Sequence, residues 1–427
     1  MEKKKLRVLM LGWEFPPILT GGLGTACYGL SKALSNYVDL TLIIPRAEKS
    51  LTLDGVKILG LNYLGLEEEL AYEEPSVSYN TFTDVTYVDA NLNPYPMGIM
   101  FTQISKPVLK AEDVRNLYNT NESYGPNIMD KVATYAEVVT KIALNKEFDV
   151  IHAHDWITYP AAVKLKEATG KPLVLHIHSL ETDRVGTHAK HQVNAVYEIE
   201  KKGMEAADRL IPVSHFTKSC AMDHYYIPEY KFHPVYNAID TEPTFRLEKQ
   251  GDEKIVLFLG RITFQKGPEF MAETAFKLLQ RYQKVRFFVA GIGDQLQKLK
   301  DTCYAMGIYD KFIFAGFLNK PKVKEILAQA DVYFMPSVSE PFGLSALEAA
   351  QFDIPSVLSI QSGVAEVMNH ALKADYWDTD RFANYIYALL NYEGIRNDMI
   401  ENTEQEIDAM SWDQSAQDVH KVYQTCV

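Results

Sequence analysis

The sequence predicts an α/β protein made of two consecutive halves, each with a parallel sheet covered by helices on both faces. Short apolar runs alternate with segments of helical character along most of the chain, which is typical of parallel sheets. A length of 427 residues suggests two or three domains, and 47% hydrophobic residues suffice for sizeable cores. A polar stretch without strand character, residues 240–253, marks the expected boundary.

The first half begins with a buried strand and contains a long irregular region. Residues 45–125 lose helical periodicity and gain Tyr, Asn and Pro, so we expect an elaborated insert of loops and short strands. The predicted strands are Leu6–Leu11, Leu40–Ile44, Val150–Ile151, Leu173–Ile177 and Arg209–Val213, and the predicted helices are Leu23–Ser35, 127–146 and Asn194–Ala207.

The second half repeats the alternation more regularly. Its final segment, Ser411–Tyr423, has the pattern of an amphipathic helix. The predicted strands are Ile255–Leu259, Val285–Ala290, Phe312–Ala315, Val332–Met335 and Ser356–Ile360, and the predicted helices are Pro268–Tyr282, a helix ending at Met306, Pro321–Ala330 and Phe342–Phe352.

The overall composition excludes several classes of protein. A net charge of -13 argues against nucleic acid and anionic membranes as partners, although a local pocket can still bind phosphate. The chain has no run of about 20 apolar residues, so no membrane association is expected. The four cysteines are scattered without a short-spaced pair, which fits a reducing cytoplasm.

The most informative segment runs from Asp331 to Glu348. An apolar strand ends at Pro336, a polar loop reaches Glu340 and Pro341, and a helix then carries Glu348. Strand, loop and helix N-terminus together form the place where α/β folds bind anions. The alternative is that Glu340 and Glu348 are solvated charges on the helix and its preceding loop.

Two basic residues follow the first strand of the second half. Arg261 and Lys266 lie in the loop after Ile255–Leu259, where the carboxyl end of a parallel strand places ligand-binding groups. Arg binds phosphate through two parallel hydrogen bonds, and Lys supplies a compact charge. The alternative is an ordinary surface turn.

Glycines and a histidine follow strands of the first half. Gly21 and Gly22 would let the backbone approach a phosphate closely. They do not form a dinucleotide fingerprint, because Cys27 occupies the third glycine position and the loop before them is too long. His154 comes just after a predicted strand, in a loop from His152 to Trp156.

A metal site is not expected. His152, His154, His178 and Asp155 lack the spacing of helical or cysteine-containing zinc sites, and His152 and Asp155 are interpreted as structural. His178, after the next strand, is a further candidate for a residue that faces the ligand-binding cleft. The sequence Asp378-Thr-Asp380 resembles a metal-binding motif, but it precedes a predicted helix and is better explained as its cap.

These motifs together resemble the retaining glycosyltransferases of the GT-B fold. Glu340 and Glu348 match their E-x7-E signature, and the glycine, histidine and basic motifs occur in matching order over nearly the whole chain. The branch that looks closest contains the bacterial and archaeal glycogen and starch synthases, with the related glycosyltransferase family 4. The resemblance implies two Rossmann-like domains with a cleft between them: residues 1–245 on the acceptor side, 246–410 for the nucleotide sugar, and a terminal helix, 411–427, crossing back.

The resemblance also implies roles for individual residues. Glu340 would hold the donor sugar and its developing positive charge, with His154 near the reacting carbon. Glu348 would hold the ribose. The remaining donor contacts would come from Arg261 and Lys266 on the diphosphate, Gly22, the amides of Gly343 and Leu344, and the Ser345 hydroxyl. No metal and no cofactor beyond the nucleotide sugar, ADP-glucose or UDP-glucose, is implied.

One position departs from the synthase pattern. Those enzymes usually carry Lys-x-Gly-Gly-Leu, whereas this chain has Leu19-Thr-Gly-Gly-Leu23, which leaves the donor nucleotide open.

The leading hypothesis is a glycogen or α-glucan synthase that adds glucose to the non-reducing end of an α-1,4-glucan. The alternatives are a family 4 transferase with another nucleotide sugar or a small or lipid-linked acceptor, and a non-catalytic glucan-binding protein. A phosphorylase would need a longer chain and a cofactor lysine that has no candidate here. Oligomeric state stays open.

Overall fold

The chain divides into two compact units. The structure, a computed structural model, describes residues 5–17, 21–48, 52–62, 110–119, 124–125, 127–185, 194–241, 243–247 and 251–427. Unit 1 comprises Met1–Thr182, His191–Ala238 and Trp412–Val427, and unit 2 comprises Asp183–Lys190 and Ile239–Ser411.

Unit 1 is built on a parallel sheet with the strand order β3-β2-β1-β4-β5-β6 among the described residues. Its strands are β1 (Arg7–Leu11), β2 (Asp39–Ile44), β3 (Val56–Gly60), β4 (Val150–His154), β5 (Leu173–Ile177) and β6 (Arg209–Pro212). The helices that precede unit 2 along the chain are α1 (Gly22–Leu34), α2 (Ala111–Tyr118), α3 (Ile128–Leu144), α4 (Tyr159–Thr169), α5 (Glu181–Val185, across the division), α6 (Ala195–Ala206) and α7 (His215–Tyr225).

Alternate residues of the central strands face two different hydrophobic cores. Leu9 and Leu11 of β1 belong to the core that contains α3 and α4, while Val8 and Met10 belong to the core that contains α1. Successive side chains of a strand point to opposite faces, so a strand covered on both sides must be apolar throughout. The uninterrupted apolar run at the start of the chain reflects this double burial.

The last helix, α14 (Trp412–Gln424), packs on α1 within unit 1. A Cβ built on Gly29 would lie 2.3 Å from Cε2 of Trp412, so the absence of a side chain there admits the indole. Ala416, Val419, Val422 and Tyr423 complete the buried face of the helix. The predicted amphipathic pattern of this segment therefore corresponds to a helix packed against the first half of the chain.

Unit 2 has a second parallel sheet, with the order β12-β11-β10-β7-β8-β9 among its described residues. Its strands are β7 (Lys254–Leu259), β8 (Val285–Ala290), β9 (Phe312–Gly316), β10 (Val332–Met335), β11 (Ser356–Ser359) and β12 (Leu372–Ala374), and its helices are α8 (Pro268–Leu279), α9 (Leu296–Ala305), α10 (Lys320–Leu327), α11 (Leu344–Gln351), α12 (Thr379–Asn391) and α13 (Glu393–Asp408).

Both sheets have the same topology. In each, the direction in which successive strands are added reverses at the centre of the sheet, and this position is called the reversal point. In unit 1 the chain moves outward from β1 through β2 to β3, then returns to place β4 on the other side of β1. In unit 2 the same reversal places β10 beside β7. Loops leave such a pair of strands in opposite directions, which opens a crevice at the carboxyl ends where α/β proteins bind ligands.

The predicted two-sheet α/β architecture is confirmed, with local corrections. His152 and His154 lie within β4 rather than in a loop, because β4 pairs with both β1 and β5 and its ladder continues to His154. Helix α2 was not predicted, although Val114 and Tyr118 show helical spacing and are buried. Leu19, residues 63–109 of the predicted insert, and residues 242 and 248–250 of the expected boundary lie outside the described residues.

The Asp378 side chain caps α12, as predicted. Its carboxylate accepts a hydrogen bond from the Arg381 amide at 3.1 Å, while Asp380 pairs with Lys277. Neither carboxylate needs a metal to explain its position. Within the described residues, no helix combines the length and apolar character that crossing a bilayer requires.

We expect Gly29→Ala to lower the free energy of unfolding by about 1–3 kcal/mol, since the added methyl group overpacks the Trp412 contact. Gly394 is a matched control, because it also lies in a helix but a Cβ there meets nothing within 4 Å. Gly394→Ala should be neutral or slightly stabilising. Denaturant titration measures both changes, and equal stabilities would contradict the proposed contact between α1 and α14.

Candidate active site

The centre of the unit 2 site is a backbone contact between two loops. Gly267, after β7, has φ of 66°, and a Cβ on it would lie 2.1 Å from the carbonyl oxygen of Pro336, which follows β10. The Val338 amide donates to the carbonyl of Gln265 at 2.8 Å. The loops that flank the reversal point are thus held together through their backbones.

This contact brings Lys266 and Glu340 together. The Lys266 ammonium forms an ion pair with the Glu340 carboxylate. The two side chains are only 16% and 8% exposed, so the pair is largely shielded from water. A cation and a carboxylate predicted as site residues from separate motifs therefore meet at the reversal point of the sheet.

The backbone of Glu340 is fixed from the opposite side by the segment after β11. Its amide donates to the Gln361 carbonyl at 2.9 Å, and its carbonyl accepts from the Gly363 amide at 2.9 Å. These two bonds form a parallel bridge between Glu340 and Ser362. The carboxylate is consequently presented from a rigid backbone rather than from a free loop.

Helix α11 begins at Leu344, two residues later than predicted, with Gly343 as its N-cap. Gly343 has φ of 110°, a conformation that residues with a Cβ rarely adopt, and this turn delays the start of the helix. The Leu344 and Ser345 amides lie in the first turn, where N–H groups lack partners within the helix and favour an anion. Glu348 lies one turn further along, half-buried.

Tyr333 is a site residue that the sequence analysis missed. It is buried in β10, and its hydroxyl lies 2.7 Å from Oγ of Ser345. Burial, and then the charges of Glu340 and Glu348, raise the pKa of the phenol, so it stays protonated. A tyrosine within the apolar run before the loop was the available signal, because a buried phenol hydroxyl usually has a hydrogen-bond partner.

Arg261 lies half-buried in the loop that also carries Lys266. Its neighbour Ile262 donates to the Ile292 carbonyl at 2.9 Å and accepts from the Gln295 amide at 3.0 Å. The loop after β7 is therefore attached to the loop after β8 as well as to the loop after β10. Both predicted basic residues lie at the carboxyl edge of the sheet.

In unit 1, His154 belongs to a cluster of four stacked histidines at the carboxyl ends of β4 and β5. His152 and His154 share one face of β4, and His176 and His178 share the same face of β5 and its continuation. Ring centroids of neighbouring members lie 4.4–5.4 Å apart. Parallel pairing of two His-x-His segments produces this cluster.

Hydrogen bonds join the histidines in two groups. Nδ1 of His152 lies 2.5 Å from the Tyr423 hydroxyl, and its Nε2 lies 3.3 Å from Nδ1 of His176. Nδ1 of His154 lies 2.8 Å from Nε2 of His178. Nε2 of His154 and Nε2 of His176 are buried and have no hydrogen-bond partner among the described residues.

All four imidazoles are neutral near pH 7. Burial is the main cause that lowers each pKa, to about 3 for His152 and for His178. The other histidines add to the effect on His154 and His176, whose pKa values lie well below the ordinary range. A neutral His154 can donate or accept a hydrogen bond through its unpartnered nitrogen.

His152 and Asp155 have structural contacts, as predicted. His152 joins the histidine cluster to α14, as described above. Asp155 has φ of 59°, and its carboxylate accepts from the amides of His178 at 2.8 Å and Ser179 at 3.2 Å. Asp155 thereby fixes the backbone where the chain leaves β5.

Gly22 is the first residue of α1, on the loop that leaves β1 at the reversal point of the first sheet. Gly21 before it is extended, and a Cβ there would meet nothing within 4 Å. No described atom of the protein therefore fills the space that a side chain at Gly21 would take. His154 ends β4, the strand that neighbours β1 across the same reversal point.

Cys27 and His176 were also missed as neighbours of His154, and Tyr423 was missed as a neighbour of His152. Two His-x-His segments, each ending a predicted strand, were a usable signal, since adjacent parallel strands align such pairs on one face. Tyr423 could not be assigned, because its contact with His152 spans most of the chain.

Comparison with known proteins gives matches along both halves of the chain. Residues 7–226 match the family model of the starch synthase catalytic domain, and residues 240–406 match that of glycosyl transferases group 1. An uncharacterized glycosyltransferase of Methanocaldococcus jannaschii is 28% identical over 98% of both chains. A glycogen synthase of Mycobacterium tuberculosis is 24% identical over 85% of this chain and 80% of its own length. The solved sucrose-phosphate synthase of Thermosynechococcus elongatus shares the fold, with a TM-score of 0.70, 15% identity and 99% coverage of both chains.

We expect Gly343→Ala to lower the free energy of unfolding more than the same substitution at an ordinary left-handed glycine does. A Cβ at Gly343 would press on Val364 at 3.1 Å, Met335 at 3.2 Å and the Glu340 side chain at 3.3 Å. Gly307, with φ of 68° and open space around it, is the matched control. Gly307→Ala should cost about 1 kcal/mol for backbone strain alone, and Gly343→Ala about 2–3 kcal/mol. Equal losses in denaturant titration would remove the packing argument.

Proposed function

Since the chain belongs to the GT-B glycosyltransferases with a starch synthase catalytic domain, we propose that it is a retaining α-glucan synthase. The donor would be ADP-glucose or UDP-glucose, and the acceptor the non-reducing end of an α-1,4-glucan. The similarity to a glycogen synthase over most of both chains supports this choice of substrate class.

The observation that carries the proposal is the meeting of Lys266 and Glu340 at the reversal point of the unit 2 sheet, beside the N-terminus of α11. Glycosyl transfer leaves a diphosphate on which negative charge grows, and a sugar carbon on which positive charge develops. A cation, a carboxylate and free helix amides within one rigid site suit both needs.

The proposed roles in donor binding are those that the resemblance to GT-B glycosyltransferases implies. Arg261 and Lys266 bind the diphosphate, and the carboxylate of Glu340 stabilises the positive charge at the reacting carbon. Glu348 accepts hydrogen bonds from the ribose. The amides of Gly343 and Leu344, and the Ser345 hydroxyl, meet the sugar and phosphate oxygens, as does the backbone at Gly22.

Transfer with retention would take place on one face of the sugar. The departing phosphate accepts the proton of the acceptor hydroxyl as the new bond forms, so no protein nucleophile is required. His154 donates or accepts a hydrogen bond with the donor sugar through Nε2, the nitrogen that has no partner among the described residues. Lys266 exchanges its contact with Glu340 for the diphosphate when the donor binds.

The second candidate is a family 4 transferase that uses another nucleotide sugar or a small or lipid-linked acceptor. The observation that favours it is Leu19, where the synthases usually carry lysine. A non-catalytic glucan-binding protein is less consistent with this chain, because Arg261, Lys266, Glu340 and His154 are all present. Turnover measured with ADP-glucose, UDP-glucose and GDP-mannose, with and without glycogen, separates these candidates.

We also propose that the enzyme works in the cytoplasm without a metal or other cofactor. All four cysteines are free thiols, which suits a reducing compartment. Arg261, Lys266 and the N-terminus of α11 can supply the charge that a metal supplies in other transferases.

Glu340→Gln should lower turnover by at least about 10²-fold, as expected when one preorganised transition-state contact is lost. The amide keeps the shape of the side chain but not its charge. Nucleotide affinity and far-ultraviolet circular dichroism, measured on the same variant, control for folding. Near-normal turnover would refute the role of Glu340.

Arg261→Ala and Lys266→Ala should each weaken binding of ADP or UDP about tenfold or more, since a hydrogen bond to a charged group contributes about 1.5–3 kcal/mol. Arg286→Ala and Lys277→Ala are matched controls, because these residues pair with Glu253 and Asp380 away from the site loops. Calorimetry should show unchanged nucleotide affinity for both controls. Unchanged affinity in Arg261→Ala and Lys266→Ala as well would exclude them from the site.

Transferase activity should survive excess EDTA, because protein cations neutralise the leaving group. The measurement is turnover before and after chelation and dialysis. A complete loss that a divalent cation restores would contradict the metal-free mechanism.

A further inference from the structure

We propose that unit 1 contains a transition-metal site formed by Cys27, His154 and His178. Zn²⁺, or a cation of similar ligand preference such as Co²⁺, would bind there. The site would not serve transfer chemistry. Instead, the bound ion would hold the imidazole of His154, which the proposed function assigns to the donor sugar.

The three ligand atoms are already close together. Cys27 Sγ and one ring nitrogen each of His154 and His178 lie within 4.8 Å of one another. Tetrahedral zinc with bonds of about 2.0–2.3 Å needs ligand atoms about 3.5 Å apart, so shifts of about 1 Å complete the arrangement. The ligands come from α1, the end of β4 and the residue after β5, all within unit 1.

Two of the three residues have an atom that could bind the metal without breaking an existing side-chain contact. Nε2 of His154 is buried without a hydrogen-bond partner among the described residues, and Cys27 forms no disulfide. A second triad, His152, His154 and His176, also has close ligand atoms. Both nitrogens of His152 already have partners, Tyr423 and His176, so metal binding there would break existing bonds. In the triad with Cys27 the existing contact is the one between Nδ1 of His154 and Nε2 of His178, and the thiol adds a ligand for which zinc has high affinity.

The surrounding charges favour a cation. Burial raises the pKa of the Cys27 thiol, and the negative charges of Asp155 and Glu14 add to this effect. Metal binding replaces the thiol proton, so that Zn²⁺ and R–SH give Zn–SR⁺ and a released proton. The two carboxylates offset the remaining positive charge, and the neutral imidazoles need no deprotonation.

The ligand set also defines the class of metal. One thiolate with two imidazoles is a soft-to-borderline set that selects zinc-like ions over Mg²⁺ or Ca²⁺, which prefer oxygen. Three protein ligands leave a fourth position for water or substrate. The carboxylate of Asp155 accepts a hydrogen bond from the amide of His178 and so fixes the backbone that carries this ligand.

The experiment is a titration of the full-length protein with Co²⁺, followed by displacement with Zn²⁺. The wild type should bind one equivalent and show a thiolate-to-cobalt charge-transfer band together with tetrahedral d–d absorption. Cys27→Ser should lose the charge-transfer band and weaken metal binding at least about tenfold. Cys220→Ser, which removes a partly buried thiol of α7, should behave as the wild type.

A second variant separates metal ligation from folding. His178→Gln should also weaken metal binding, while thermal unfolding of the metal-free variants shows that each is folded. No stoichiometric binding by the wild type, or equal binding by Cys27→Ser and the wild type, overturns the proposal. Loss of the band in Cys220→Ser instead would place the ion elsewhere and overturn it as well.

The inhibitory consequence rests on the proposed function and has its own readout. Zn²⁺ should inhibit wild-type transfer, EDTA should restore it, and Cys27→Ser should keep basal activity but resist inhibition. A cobalt spectrum with the expected dependence on Cys27, in a protein without transferase activity, would support the metal site and refute the proposed function. Inhibition of Cys27→Ser at the same zinc concentration would refute the inhibitory role.

Discussion

The approach of the loop after β7 to the loop after β10 is the constraint on which the unit 2 site depends. A side chain at Gly267 would occupy the position of the Pro336 carbonyl oxygen, so any other residue would push the loops apart. Lys266, next to Gly267, and Glu340, at the end of the loop that begins at Pro336, would then lose their ion pair. A buried ion pair adds little stability by itself, and its value here is that both charges are held ready for a ligand.

The histidine cluster of unit 1 depends on a different balance. Four imidazoles are removed from water, which disfavours their charged forms and keeps them neutral. Hydrogen bonds among the rings, and from His152 to Tyr423, satisfy most of their nitrogens but leave Nε2 of His154 and of His176 unpartnered. Buried polar atoms without partners are rare and costly, which is why the proposed contact with the donor sugar is assigned to one of these two nitrogens, Nε2 of His154.

The two units therefore place different types of side chain at the equivalent position, the carboxyl ends of the two central strands. In unit 2 the strands beside the reversal carry charged groups, Lys266 and Glu340. In unit 1 the corresponding strands lead to Gly22 and to His154, which are an open backbone and a neutral ring. Charge is concentrated where the proposed diphosphate binds, while the neutral groups suit hydroxyl-rich sugar.

The sequence by itself determined the architecture and most of the candidate residues. Strand and helix alternation is a local property, and the motifs around Arg261, His154 and Glu340 are each contiguous, so both could be read along the chain. The sequence could not show that Lys266 contacts Glu340, that Tyr333 supports Ser345, or that Cys27 lies beside His154 and His178. Lys266 and Glu340, like Cys27 and the two histidines, are far apart along the chain, so the strand order and close backbone approaches at glycines such as Gly267 decide whether they meet. Tyr333 and Ser345 are closer in sequence, but the conformation of the loop between β10 and α11 decides whether their hydroxyl groups meet.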